Sequence, residues 1–398
     1  MPRPLEAYLL STYGLDLTSS YGGVKVKNPF GKASGQLSLA GHQVEKDAEA
    51  GLGFVVLKTV IAQNGAGEQS MREWAIPETR MLVERIQGRS GEQGWTVTWK
   101  GRGWFDAFEA YLGLFDDALR VGKTWEMLVA PSVKYHLPTP EESLWKEDEY
   151  TFTTRALLTT WDKHRGETSM PLEKDFSPTL AGSARAAQQA KILEWLRRVP
   201  ALVHGANPGR VRVGLKIFNA LFEDEFQLKM LEEIHAGRPP AECADFMVYA
   251  NRLFDPAKIF DGKAGIAYGG TDLSDRNLAV LEHFLGSASI SPVRNRLSPI
   301  SATGDISCGR VAAEYLLRGA STFQMHTIFQ LPDSEFAMNF GGKTEKALHR
   351  LIFDPQEGFL VWVLDLRSRF QWKIEHNISD IAQWCREHWD VVVAALKG

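Results

Sequence analysis

Short β-rich runs alternate with helical stretches along most of this chain, and that alternation constrains its fold more than any other feature. Residues 54–57, 95–99, 127–130, 211–217, 246–250, 298–302 and 322–326 read as strands, and one more leads into Ala33-Ser34-Gly35. Helical character fills residues 41–51, 106–121, 181–198, 224–236, 274–285 and 309–318. Strands that alternate with helices argue for a parallel sheet. About eight of them predict an α/β fold of the closed (β/α)8, or TIM, barrel type. An open doubly wound sheet is the competing architecture, and it usually carries a GxGxxG turn. Gly51-Leu52-Gly53, Gly65-Ala66-Gly67 and Gly101-Arg102-Gly103 lack the third glycine, with Val56, Ser70 and Asp106 in its place.

The barrel is expected to span residues 1–330. Residues 138–179 break the cadence with polar, charged and proline-containing sequence, and read as an insertion after the fourth strand. Such a segment is either a lid over the site or an exposed decoration. Residues 331–398 are expected to form a C-terminal helical segment packed on the barrel. Trp362, Trp372, Trp384 and Trp389 fall there, as helix packing or as a partner-binding surface.

Lys and Arg total 45 against 49 Asp and Glu, for a net charge of −4, which disfavours nucleic acid as a partner. Cys243, Cys308 and Cys385 lie far apart, against a disulfide framework or a four-thiolate iron–sulfur cluster. That usage fits a reducing cytoplasm. No apolar run approaches the roughly 18 residues of a membrane span, and Met1 to Ala7 lack a signal-peptide pattern. No spacing of ligating residues points to a metal site.

Barrel chemistry belongs at the C-terminal strand ends. Those ends carry Ala33-Ser34-Gly35, Lys58-Thr59, Thr96, Ala130-Pro131-Ser132, Lys216, Asn251, Thr303-Gly304-Asp305 and His326-Thr327. Lys58 and Lys216 close otherwise apolar strands, and a buried lysine needs an anionic or electron-rich partner. Small polar turns after the last two strands suit a phosphate. Asp305 is an awkward neighbour for phosphate and reads as a helix cap.

Asn28-Pro29-Phe30, Ala33-Ser34-Gly35 and the run from Gly51 to Thr59 resemble the opening of the dihydroorotate dehydrogenase (DHODH) family. Phe105-Asp106-Ala107-Phe108, Leu215-Lys216, Asn251, the run from Tyr268 to Ser274, the run from Ala302 to Ile306 and the run from Gly319 to Thr327 follow in that family's order. The resemblance covers residues 22–327, and Glu357-Gly358-Phe359 and Asn377 to Asp380 extend it into the tail. It implies an FMN-binding barrel. Ala33, Ser34 and Gly35 would line the flavin. Lys58 and Thr59 would sit near its ring and the substrate, and Lys216 near its pyrimidine end. Gly270, Gly304, Asp305, His326 and Thr327 would surround the ribityl phosphate. Asn251 would contact substrate or flavin, and self-association into a homodimer would be in keeping with the family.

The chain departs from that family at its catalytic loop. Ala130-Pro131-Ser132-Val133-Lys134-Tyr135 puts Val133 where the family has its base, and Ala130, Tyr135 and Thr96 where it has asparagines that bind substrate. The remaining proton-transfer candidates are Tyr135, His136, Ser132 and Lys58, while Lys134 reads as solvated. Loss of those hydrogen-bonding partners argues against dihydroorotate. The expected activity is an FMN-dependent oxidoreductase that acts on a different, bulkier or less polar small-molecule substrate. The electron donor or acceptor is not encoded. The alternatives are a flavin-dependent biosynthetic enzyme with non-dehydrogenase chemistry, and a non-catalytic barrel that binds a partner.

Overall fold

A computed structural model describes residues 1–75, 77, 81–87, 91–99, 103–176, 185–219, 223–260, 262–287 and 290–397. Eight parallel strands form its centre: β1 (Phe30–Lys32), β2 (Phe54–Val56), β3 (Leu128–Ala130), β4 (Met170–Asp175), β5 (Val211–Asn219), β6 (Phe246–Phe260), β7 (Ile300–Ala302) and β8 (Ala320–Met325). β8 pairs with β1, β1 with β2, and β2 with β3. After Pro131, β3 resumes at Ser132–Lys134 and pairs with β4, Ser132 opposite Glu173, which closes the ring through β5, β6 and β7. Helices Gly41–Ala50, Phe108–Thr124, Glu147–Arg165, Arg185–Ala206, Asp224–Ile234, Thr271–Gly286 and Gly309–Leu317 separate the strands. The fold is the expected α/β barrel.

Large rings pack the barrel's lower half. Phe54, Tyr21 and Phe246 are buried together, with the Tyr21 and Phe54 centroids 4.6 Å apart. Gly31 on β1 and Gly214 on β5 make room for them, because a Cβ at either position would run into the ring of Phe54 or Phe246. Burying each ring contributes about 1.5–3 kcal/mol. A short hairpin, Ser19–Tyr21 with Val24–Val26, closes the floor and carries Tyr21 inward.

Two expectations are corrected. Residues 95–99 are not in the barrel. They belong to an antiparallel hairpin, Met81–Gln87 with Gln93–Trp99. The hairpin joins Lys263–Gly270, which pairs back on the outer half of β6. Alternation and β-branching marked this segment as a strand correctly, but such a pattern does not say which sheet a strand joins. Conversely, residues 138–179 are not a free lid. They hold helix Glu147–Arg165 and the fourth barrel strand, while 177–179 lie outside the described residues. Met170 to Asp175 carries Pro171 and three charges and no β-branched residue, so it has no strand signature.

After β8 the chain adds helices Lys343–Phe353, Phe359–Phe370, Ile378–Glu387 and Trp389–Lys397. Phe359 meets Phe30 edge-on at 5.2 Å, which ties this segment to β1. Trp372 and Trp389 are buried, and Trp384 packs against Trp372 and His388. These tryptophans pack helices rather than present an open surface. No helix among the described residues is long and apolar enough to cross a membrane.

Candidate active site

The C-terminal ends of the strands surround a cavity. Its wall includes Ala33, Ser34 and Gly35 after β1, Lys58 and Thr59 after β2, and Lys216 on β5. Asn251 on β6, Gly304 and Asp305 after β7, and His326 and Thr327 after β8 complete the circuit. Eleven residues named from the sequence therefore meet in one place. Parallel strands bring this about, because each ends at the same rim of the barrel.

Charge dominates the wall. Lys58 is buried, and burial together with the neighbouring Arg252, Lys134 and Lys216 pulls its ammonium down to about 7, against partial relief from Asp175. Burial opposes ionisation of Asp175, but Lys134, Lys216, Arg252 and Lys174 outweigh it and hold the carboxyl below its ordinary range. Burial, followed by Lys32, Lys58, Arg252 and Lys216, lowers His326 to about 3, so its imidazole is neutral at physiological pH. The ring of His326 lies against Gly35, where a Cβ would come within 2.8 Å of it.

A line of hydroxyls leads into the cavity. Ser34 Oγ and Thr59 Oγ1 are 2.8 Å apart, and Thr59 Oγ1 is 3.0 Å from Ser132 Oγ. Ser132 thus communicates with the cavity through Thr59. Opposite, Gly304 takes φ +97°, and a Cβ there would sit 2.5 Å from Asn277 Nδ2 and 2.6 Å from Ala250 O. The Asn277 amide donates to the Ala250 and Thr303 carbonyls at 3.1 Å each and fixes this turn. Asp305 does not cap the following helix; its N-cap is Cys308, which makes no side-chain capping bond.

Other named residues lie off the cavity wall. Tyr135 is fully buried, stacked on Tyr150 at 4.3 Å, and bonded to Thr154 Oγ1 at 2.6 Å. Burial pushes its phenol up beyond the range of proton exchange at neutral pH. His136 sits with Nε2 3.6 Å from Glu142 Oε2, and burial lowers its pKa against the pull of that carboxylate. Val133 is fully buried. Thr96 is buried in the hairpin sheet opposite Gly270, where a Cβ on the glycine would meet it at 2.8 Å. Lys134, expected in solvent, is buried with Nζ 4.4 Å from the Trp74 ring centroid and 3.9 Å from Asp175 Oδ2. A lysine directed into the barrel ring has no route to solvent.

Thr303, read from the sequence at the seventh strand end, also lies in this wall, whereas sequence reading singled out none of Asp175, Arg252 and Gln324. Arg252 directly follows Asn251, and Gln324 lies two residues before His326, so position near a named residue was the available signal. Asp175 had none, since its strand was unrecognised.

No family model matches the chain, and no curated protein sequence matches it. Among solved structures, the crystal structure of DHODH in complex with ferulenol from Eimeria tenella is similar to it. The TM-score is 0.56 at 14% identity, over 96% of this chain and 90% of that one. At that identity the likeness concerns the fold alone, which is a DHODH-like α/β barrel.

Proposed function

We propose that this protein is an FMN-dependent oxidoreductase acting on a small molecule other than dihydroorotate. The observation that carries the reading is the convergence of Lys58, Lys216 and Arg252 with small polar turns on one barrel-mouth cavity. Buried ammonium groups facing a cavity are stabilised by an anionic, electron-rich ligand. A flavin suits that wall. Lys216, Asn251 and Lys58 would hold the ring end, Ala33, Ser34 and Gly35 the ring face, and Gly304 and Thr327 the phosphate end. At that end Asp305 opposes a phosphate, and His326, being neutral, does not attract it. Bound FMN supplies a hydride acceptor or donor at N5.

The chain's own residues account for the rest. Lys58 Nζ titrates near neutrality and lines the cavity, so it can both release and take up a proton there. It replaces the family base, whose position holds an apolar valine. The Ser34–Thr59–Ser132 line offers a second route for a proton at the same wall. Ala130 and Tyr135, both fully buried, offer no amide to a pyrimidine ring, which supports a different substrate. Electrons would come from or go to an external donor or acceptor such as NAD(P)H, a quinone, oxygen or a protein partner.

Asp305 favours a second reading, in which the barrel has lost FMN and the cationic wall receives an anionic substrate directly. Both are tested by the absorption spectrum of the purified protein and by titration with FMN. Flavin bands, with FMN released on denaturation, support the first. A colourless protein that fails to take up FMN at micromolar concentration overturns it. Substitution of Lys216 by Ala should weaken FMN retention.

A further inference from the structure

Below the cavity wall lies a buried carboxylate with no place in the chemistry above. Glu173 on β4 is fully buried. One of its oxygens accepts from the Tyr21 hydroxyl and the Gln324 amide, and the other lies 3.4 Å from Lys216 Nζ. Its partners come from three elements: the floor hairpin, β8 and β5. The Tyr21 hydroxyl also accepts from the Gln324 amide at 3.1 Å. Burial, with Glu173 beside it, raises the Tyr21 phenol well above its ordinary range, so the hydroxyl remains a donor.

Lys216 is the cavity cation nearest this cluster. Apart from Glu173, the charged and titratable groups around it are Asp175 on β4, Lys134 at the end of the resumed β3, Lys58 after β2, Arg252 on β6 and His326 after β8. Three of these are cations and one is an anion. Asp175 already serves Lys134, Lys174 and Arg252 as well as Lys216. Glu173 is the carboxylate in ion-pair distance of Lys216.

We propose that Glu173 is a positioning residue: it holds Lys216 at the cavity wall as a fixed, charge-balanced cation and so governs how the cavity receives an anionic ligand. The inference rests on reading this cavity as a flavin site. Tyr21 and Gln324 lock the carboxylate, the carboxylate locks the ammonium, and the ammonium presents its remaining donors to the cavity. Two carboxylate oxygens held from three elements leave the lysine few alternative rotamers. Removing one partner of a buried ion pair leaves an uncompensated charge, which costs more than removing both.

The test is the pH dependence of stability and of FMN binding in Glu173→Gln, Glu173→Asp and Lys216→Met. In Glu173→Gln the Lys216 ammonium loses its counter-charge, and its cost to folding fades once the proton is shed. The stability of that variant relative to the unsubstituted protein should therefore rise from pH 7 to 9.5. The trend should vanish in the double variant with Lys216→Met. FMN affinity of Glu173→Gln should fall about tenfold further than that of the unsubstituted protein over the same range, a difference of about 1.4 kcal/mol. Glu173→Asp should largely restore both profiles. A folded Glu173→Gln protein whose profiles run parallel to the unsubstituted ones would overturn the proposal, and if FMN still binds, the flavin reading survives. If the unsubstituted protein takes up no FMN while the Lys216-dependent stability profile appears, the positioning role stands and the flavin reading falls. Should Glu173→Gln not fold, Lys216→Met carries the mirror test. It strands the carboxylate, so its relative stability should rise as pH falls, and a parallel profile would again overturn the proposal.

Discussion

Substitution of Lys58 by Met should stabilise the ligand-free protein, and by an amount that depends on pH. The Lys58 ammonium titrates at 10.5 in an ordinary setting and at about 7 in the folded barrel, held down first by burial and then by Arg252, with Lys134 and Lys216 adding to it. The unfolded chain therefore binds this proton more tightly than the folded one. The cost to folding is full below pH 7 and shrinks as pH rises from 7 towards 10.5. At about 1.4 kcal/mol per pKa unit, that cost is roughly 5 kcal/mol at pH 6 and roughly 2 kcal/mol at pH 9. Urea unfolding of the ligand-free protein and of Lys58→Met at both values measures it. The unsubstituted protein should gain about 3 kcal/mol on the variant between pH 6 and pH 9. A difference that stays flat would mean that Lys58 keeps an ordinary titration, and the account of the cavity as a cationic, desolvated wall would be wrong. Saturation with an anionic ligand should flatten the profile, because a counter-charge in the cavity holds the proton on Lys58 when the chain is folded.

The remaining predictions concern the walls around that lysine. Gly304→Ala places a Cβ in a left-handed conformation against Asn277 and Ala250 O, which should lower stability by about 2–4 kcal/mol in thermal denaturation and weaken FMN uptake. Tyr135→Phe removes the hydroxyl bonded to Thr154, which should cost about 1 kcal/mol of stability. Because Tyr135 lies off the cavity wall, FMN affinity should not change, and a loss of affinity above tenfold would put that side chain back in the site. Thr59→Val interrupts the line between Ser34 and Ser132, which should cost about 1–3 kcal/mol by chemical denaturation.

Much of this barrel was legible before its tertiary structure. Alternation of apolar runs with helical stretches is a local property, and it sufficed for the fold class and for seven of the eight barrel strands. A parallel barrel gathers its strand ends at one rim, so Lys58, Lys216, Asn251 and the turns at Gly304 and Thr327 could be assembled into one site from their position alone. The fourth strand could not be found this way. Glu173, Lys174 and Asp175 look like loop residues because their burial depends on partners far away in sequence: Lys216 for Glu173, and Lys134 for Asp175. The same dependence separates the proton-transfer candidates. Ser132, Tyr135 and His136 are near neighbours in sequence. Only the closed ring decides that Ser132 reaches Thr59 at the cavity, that Tyr135 stacks on Tyr150 and that His136 meets Glu142. Apolar periodicity is written residue by residue along the chain. Which buried charge meets which counter-charge is set by strand register, and register exists only once the barrel has closed.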